Sequence, residues 1–143
     1  MKKTVITFAL YVIAFNSFSM SLMDLDGTWG TDCDYNDGLI QLYDNEIILE
    51  LYSNQVYIKL EEKIIGESIH LYFSKVSSSG RGGEHIDWND ISRDSSVAIA
   101  NNLDSSSFDL EIIGLRSKSN GKVLYTPMRA EKHNKMVECV FKL

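Results

Sequence analysis

An all-β fold is predicted for this chain: an antiparallel up-and-down meander of eight or nine strands closing into a small barrel, with at most one short helix. Three observations carry that expectation. Apolar and polar residues alternate in short runs rich in Val, Ile, Tyr and Phe, the period of a half-buried strand. Short Asn-bearing pairs, Asp44-Asn45 and Ser53-Asn54, separate several of these runs; tight hairpins favour them because Asn accepts a positive φ more readily than most residues. The two cysteines, Cys33 and Cys139, stand near opposite ends of the mature chain, and a bridge between them would lay the first strand beside the last. A twisted open sheet packed on one helix is the competing architecture.

The first strand is expected over 27–33, with Trp29, Thr31 and Cys33 on one face. Strands over 39–43, 46–52 and 55–61 follow, and a fifth over 64–73 carries Gly66 at a bulge. Three more are expected over 97–101, 108–115 and 122–126, the last two flanking Ser119-Asn120-Gly121, the strongest turn signal in the chain. The final strand, 136–141, would place Val137, Cys139 and Phe141 on one face. No apolar repeat of helical spacing persists for three turns, so a helix has its best place at 127–134. The Cys33–Cys139 bridge would then join adjoining strands, whose facing Cβ atoms lie roughly 4.5–5.5 Å apart.

Residues 1–20 read as a signal peptide. Lys2 and Lys3 precede an almost wholly apolar run, and Ser17-Phe18-Ser19 supplies the small residues that a signal peptidase requires. Asn16 stops the apolar run short of the roughly 20 residues needed to cross a bilayer. Cleavage is expected near Ser19 or Ser21. No cysteine at the junction offers a site for lipid, so residues 21–143 are expected to form a single β-barrel domain, soluble in the periplasm or the medium. Such a compartment is oxidising, and there two cysteines are more often a structural bridge than free thiols.

Removal of the signal shifts the charge. The whole chain carries 14 basic and 20 acidic side chains; without Lys2 and Lys3 the balance is 12 − 20 = −8. That disfavours nucleic acid or an anionic membrane as partner and speeds encounter with a cationic protein. It also serves simple solubility.

The strand rhythm breaks over 77–94. This stretch is long for a loop inside a compact domain, and such loops are usually functional or mobile. Its Gly and Ser residues loosen it, whereas Ile86, Trp88 and Ile91 are costly to leave in water. Trp and Arg dominate protein interfaces energetically, so Trp88, Arg81 and Arg93 are the leading candidates for partner contact, with Ser79, Glu84 and His85 beside them. The plain alternative is that Trp88 folds back over a barrel mouth.

Two resemblances bear on these features. Leu25-Asp26-Gly27-Thr28-Trp29 at the start of a hairpin-rich chain resembles the calycins, the group of lipocalins and avidins, in which such a Trp plugs the closed end of the barrel. The resemblance implies that role for Trp29 and, as the alternative function, a carrier of a small apolar ligand. The lipocalin Thr-Asp-Tyr segment is absent, only Arg129 is available to pack over the Trp, and two tryptophans, Trp29 and Trp88, are fewer than avidins use to wall a biotin site. Val76-Ser77-Ser78-Ser79-Gly80-Arg81 is similar to the cleft-entering loop of secreted C-type lysozyme inhibitors, which implies that Ser79 and Arg81 touch the catalytic cleft of a target. Periplasmic immunity proteins share the size, export and acidity without a common motif.

Catalytic patterns are thin. His85-Ile86-Asp87 and nearby serines supply the residue types of a triad, but no Gly-x-Ser-x-Gly elbow accompanies them. Asp32, Asp34 and Asn36 copy the first ligands of a calcium loop, yet Asp37 stands where the turn Gly belongs and Tyr43 where the bidentate Glu belongs. His70, His85 and His133 lack zinc spacing, and Gly80-Arg81-Gly82-Gly83 opens no helix that could hold phosphate. The expectation is therefore a non-enzymatic, monomeric binding protein with neither cofactor nor metal. Its partner would be a protein, a cationic hydrolase or toxin, gripped by residues 77–94.

Overall fold

The structure is a computed structural model and describes residues 20–31, 33, 40–52, 56–125 and 133–140. Ten strands run in chain order: β1 Gly27–Gly30, β2 Ile40–Tyr43, β3 Glu46–Tyr52, β4 Val56–Ile65, β5 Ser68–Ser78, β6 Ser96–Asn101, β7 Ser107–Ile112, β8 Leu115–Arg116, β9 Val123–Tyr125 and β10 His133–Glu138. Eight of them close an antiparallel barrel in the order β1-β10-β7-β6-β5-β4-β3-β2, while β8 and β9 form a separate two-stranded sheet. Closure removes every free sheet edge from the barrel wall. It also settles the architecture against the open sheet.

The hairpins form where local chemistry permits. Asp44 and Asn45 both adopt positive φ (52° and 61°) between the paired residues Tyr43 and Glu46, as a type I′ turn demands. Gly66 has φ +64° and joins β4 to β5 through the Ile65–Ser68 pair. This corrects the expected bulge: Gly66 begins a two-residue turn, and the long 64–73 strand is instead the junction of two strands. Ser53-Asn54 lies outside the described residues.

Two other expectations are also corrected. The strand foreseen over 108–115 stops at Ile112, because the amides of Ile113 and Gly114 converge on the Val97 carbonyl at 2.9 Å each. After that point β8 pairs with β9, so the strand foreseen near 122–126 lies outside the barrel. The best place for a helix, 127–134, falls mostly outside the described residues, but His133 and Asn134 belong to β10. Among the described residues the helical elements are two 3₁₀ turns, Leu22–Asp24 and Trp88–Asp90.

Alternation along each strand fills the interior. In β4, Val56, Ile58 and Leu60 are buried, as are Ile69, Leu71 and Phe73 in β5, with their odd or even neighbours turned outward. One end of the barrel is capped by the first 3₁₀ turn, where Leu22 and Leu25 enter the core. Its capping box is complete: Ser21 Oγ accepts from the Met23 amide (3.0 Å), and Asp24 accepts from the Ser21 amide (2.8 Å). Glu62 ties the turn to β4 by accepting from Ser21 Oγ and from the Leu22 amide (3.1 Å). Beside this cap Trp29, 1% exposed, donates its indole N–H to the Asp26 carbonyl (3.2 Å) and meets Phe108 across the interior at 5.5 Å.

Cys33 and Cys139 are joined, with Cα atoms 5.3 Å apart. The route differs from the expectation. β1 ends at Gly30 rather than at 33, β10 ends at Glu138, and Val137 is exposed while Cys139 is buried. Cys139 extends the ladder by one bond, its amide donating to the Thr28 carbonyl at 2.7 Å. Had β1 run straight on, Cys33 would lie about 17 Å past Thr28 at strand spacing. The chain therefore doubles back after Gly30 to reach Cys139. Phe141 lies outside the described residues.

Two stability measurements follow. Trp29→Ala, which removes the largest side chain of the core, is expected to cost about 3–5 kcal/mol in urea unfolding; a loss under about 1 kcal/mol would contradict its role as a plug. Replacing both cysteines by Ser is expected to cost about 2–5 kcal/mol, read by the same titration.

Candidate functional site

In an up-and-down barrel, successive connections alternate between the two ends. The 44–45, 66–67 and 102–106 turns share the capped end with the first 3₁₀ turn. The 79–95 loop and the β8–β9 hairpin share the other, and there they touch. Ile91, 3% exposed, forms a bridge with Ser117, and the Ser92 amide donates to the Arg116 carbonyl at 2.8 Å.

Asp90 is the hub of that contact. Its carboxylate accepts from Ser117 Oγ (2.5 Å), from the Ser119 amide (2.9 Å) and from Ser119 Oγ (3.1 Å), while its carbonyl accepts from the Lys118 amide (2.5 Å). The Ser117 hydroxyl above all, then the two Ser119 donors and the Lys118 charge, hold the Asp90 carboxyl below its ordinary value. Chemically this is a latch between two connections: an acceptor presented to a turn rich in donors. Sequence reading missed it. The turn at 119–121 was visible, but its partner lies 27 positions away from Ser117, and nothing local announces such a pairing.

Trp88 sits where the loop meets the barrel mouth. Its ring stacks on Phe73 of β5, with centroids 6.1 Å apart and planes within 19°, and Ile86 packs on the core beside it. Half-buried, it is engaged by its own chain. Around this seat the side chains of Ser79, Arg81, Glu84, His85 and Arg93 are exposed. No hydrogen bond or ion pair to another described residue engages them. Ser79 through His85 thus fall on one arm of the loop ahead of the second 3₁₀ turn, and Arg93 follows that turn. Asp87 does not turn toward chemistry: its carboxylate accepts from the Asn89 amide at 3.1 Å and caps the second 3₁₀ turn.

At the loop base, Tyr57 of β4 pairs with both Glu50 and Ser78. Burial first, then the Glu50 charge, raises the Tyr57 phenol above its usual value, so the ring presents a neutral hydroxyl. Among the described residues no group of three His, Cys, Asp or Glu side chains is placed to hold a metal ion. The acidic turn at 32–38, apart from Cys33, lies outside them, as does Arg129. No helix among the described residues is long and apolar enough to cross a membrane; the Cys33–Cys139 disulfide is compatible with export to an oxidising compartment.

The Asp90 latch has a pH signature. A carboxyl whose pKa is lowered on folding stabilises fully above its unfolded value near 3.8 and loses that contribution as pH falls through the lower folded value. Asp104, at the capped end, is lowered in the same direction by Ser106 and Ser107. Acidification below about pH 4 is therefore expected to weaken both turns. In hydrogen exchange, Asp90→Asn should abolish the acid sensitivity of the Ser92 and Lys118 amides, and Asp104→Asn should leave it intact.

The closed eight-strand antiparallel wall is compatible with a calycin-like barrel. No protein-family model, no curated protein and no solved structure matches this chain.

Proposed function

We propose that this chain is an exported binding protein that neutralises a protein target, as an inhibitor or immunity protein acting on a cationic hydrolase or toxin through residues 77–94. The observation that carries the reading is the condition of the loop. It is latched by Asp90, seated by Trp88 and Ile91, and presents to solvent the side chains of Ser79, Arg81, Glu84, His85 and Arg93, which make no hydrogen bond or ion pair with another described residue. A loop whose second half is already held in place forfeits less side-chain and backbone entropy on association than a wholly limp one.

Charge adds direction. The mature chain is acidic, which steers it toward a basic partner, yet the Arg81 guanidinium on its arm forms no ion pair with a carboxylate among the described residues. That combination suits a target that is basic overall and carries carboxylates inside its cleft, as carboxylate-dependent glycosidases do. The similarity of 76–81 to lysozyme-inhibitor loops points the same way.

The alternative, a carrier of an apolar molecule, would use an interior void of some 300 Å³ or more. The inward side chains from Leu22 at one end to Phe73 at the other form one continuous buried cluster, which favours the loop over the interior.

Arg81 tests the reading more cleanly than Trp88, because it is exposed and its loss leaves the core untouched. The purified chain is expected to inhibit a C-type lysozyme or to retain a cationic hydrolase or toxin from periplasmic extract. Arg81→Ala should weaken that association by about 2 kcal/mol, roughly thirtyfold, with unchanged unfolding. Absence of inhibition and of any retained basic protein would reject the proposal.

A further inference from the structure

We propose that the 79–87 arm is a lid over a hidden hydrogen-bond donor, the Trp88 indole N–H, which gains an acceptor when the arm lifts and an acceptor-bearing apolar segment of the protein target takes its place. The partner half of this rests on the function proposed above. The opening of the arm does not.

The starting observation is an unpaired group. Trp88 Nε1 is shut off from solvent and has no hydrogen-bond partner among the described residues, whereas the indole of Trp29 is satisfied by the Asp26 carbonyl. A buried donor left unpaired carries its desolvation cost with no return, and native proteins keep such groups rarely. The N–H would be content either in water or against an acceptor from outside. Both require its cover to move.

Among the described residues, the arm supplies cover at this edge. Gly83 lies against the indole edge: a Cβ added there would stand 3.0 Å from Trp88 Cζ2 and collide with the Ser79 carbonyl. Cζ2 neighbours the ring-fusion carbon that bears Nε1, so the arm backbone packs over the same edge that holds the hidden N–H. Only glycine fits this close approach.

The loop's ties are unequal. Its second half is fixed to the β8–β9 hairpin through Asp90, the Ile91–Ser117 bridge and the Ser92 amide. The arm's backbone bonds, Gly83 amide to Ser79 carbonyl (2.7 Å) and Ile86 amide to Gly83 carbonyl (3.2 Å), stay within the arm. Among the described residues, packing of Ile86 and Gly83 is what seats it. Segments with few buried contacts and few ties to the scaffold open at low free energy, and here opening also relieves the orphaned donor. Lifting would uncover the Trp88 edge with Phe73 stacked behind it while the latch keeps the indole in position.

The test needs no partner. Replacing Trp88 by β-(3-benzothienyl)alanine keeps the bicyclic shape and exchanges the N–H for sulfur. If the closed arm suppresses an unpaired donor, tryptic cleavage after Arg81 in the folded protein slows by at least about fivefold, the factor matching the low end of that cost. Gly83→Ala, which wedges the arm, should accelerate the same cleavage and raise acrylamide quenching of Trp88. Cleavage that is unchanged or faster in the benzothienyl protein overturns the proposal, since the N–H would then be satisfied in the closed form. So does a Gly83→Ala protein that melts cooperatively with neither readout altered. Failure in these assays leaves inhibition of a target standing, and failure of inhibition leaves the lid standing.

Discussion

The rest of the structure depends on closure of the wall at the seam between β1 and β10. This is the one seam of the barrel that joins the two ends of the chain, and among the described residues its ladder is the shortest, two paired positions against nine between β4 and β5. Loop-closure entropy is largest where contacts are farthest apart in sequence. The Cys33–Cys139 bridge, spanning 106 positions, lowers that entropy in the unfolded chain at the place where the hydrogen bonds are fewest.

Once that seam is shut, the two ends of the barrel differentiate. One is finished by residues just ahead of β1, with Ser21, Leu22 and Leu25 sealing the interior and Glu62 fastening the seal to the wall. The other is finished by two long connections that meet each other through Asp90 and the Ser117-Lys118-Ser119 turn. Under the function proposed above, stability and binding draw on the same residues here. Trp88 and Ile91 supply the packing that holds the second half of the long loop, and the polar arm is carried on that seat.

Under that same proposal, such competition accounts for the unpaired indole. A loop optimised only for stability would place an acceptor beside Trp88 Nε1, as the capped end does for Trp29. A buried polar group that departs from full satisfaction is often found at sites that do something. The unpaired donor and the glycine-lined cover meet at the one stretch that strand periodicity could not absorb.

By itself the sequence determined what is local. Alternation specified the all-β class, and Asp44-Asn45 specified a hairpin, because strand period and turn chemistry are properties of a few adjacent residues. The break at 77–94 marked the irregular segment for the same reason. The Cys33–Cys139 pairing was legible because a chain with two cysteines has one possible bridge. Only the tertiary structure decided whether Gly66 was a bulge or a turn, because that depends on which residues across the sheet remain free to pair. It alone dismissed the strand at 122–126 from the barrel, after Val97 captured the amides of Ile113 and Gly114. The Asp90 latch, the Phe73–Trp88 stack and the turn back after Gly30 likewise join residues far apart along the chain. Their partners are selected by the folded geometry, and no spacing in the linear sequence encodes it.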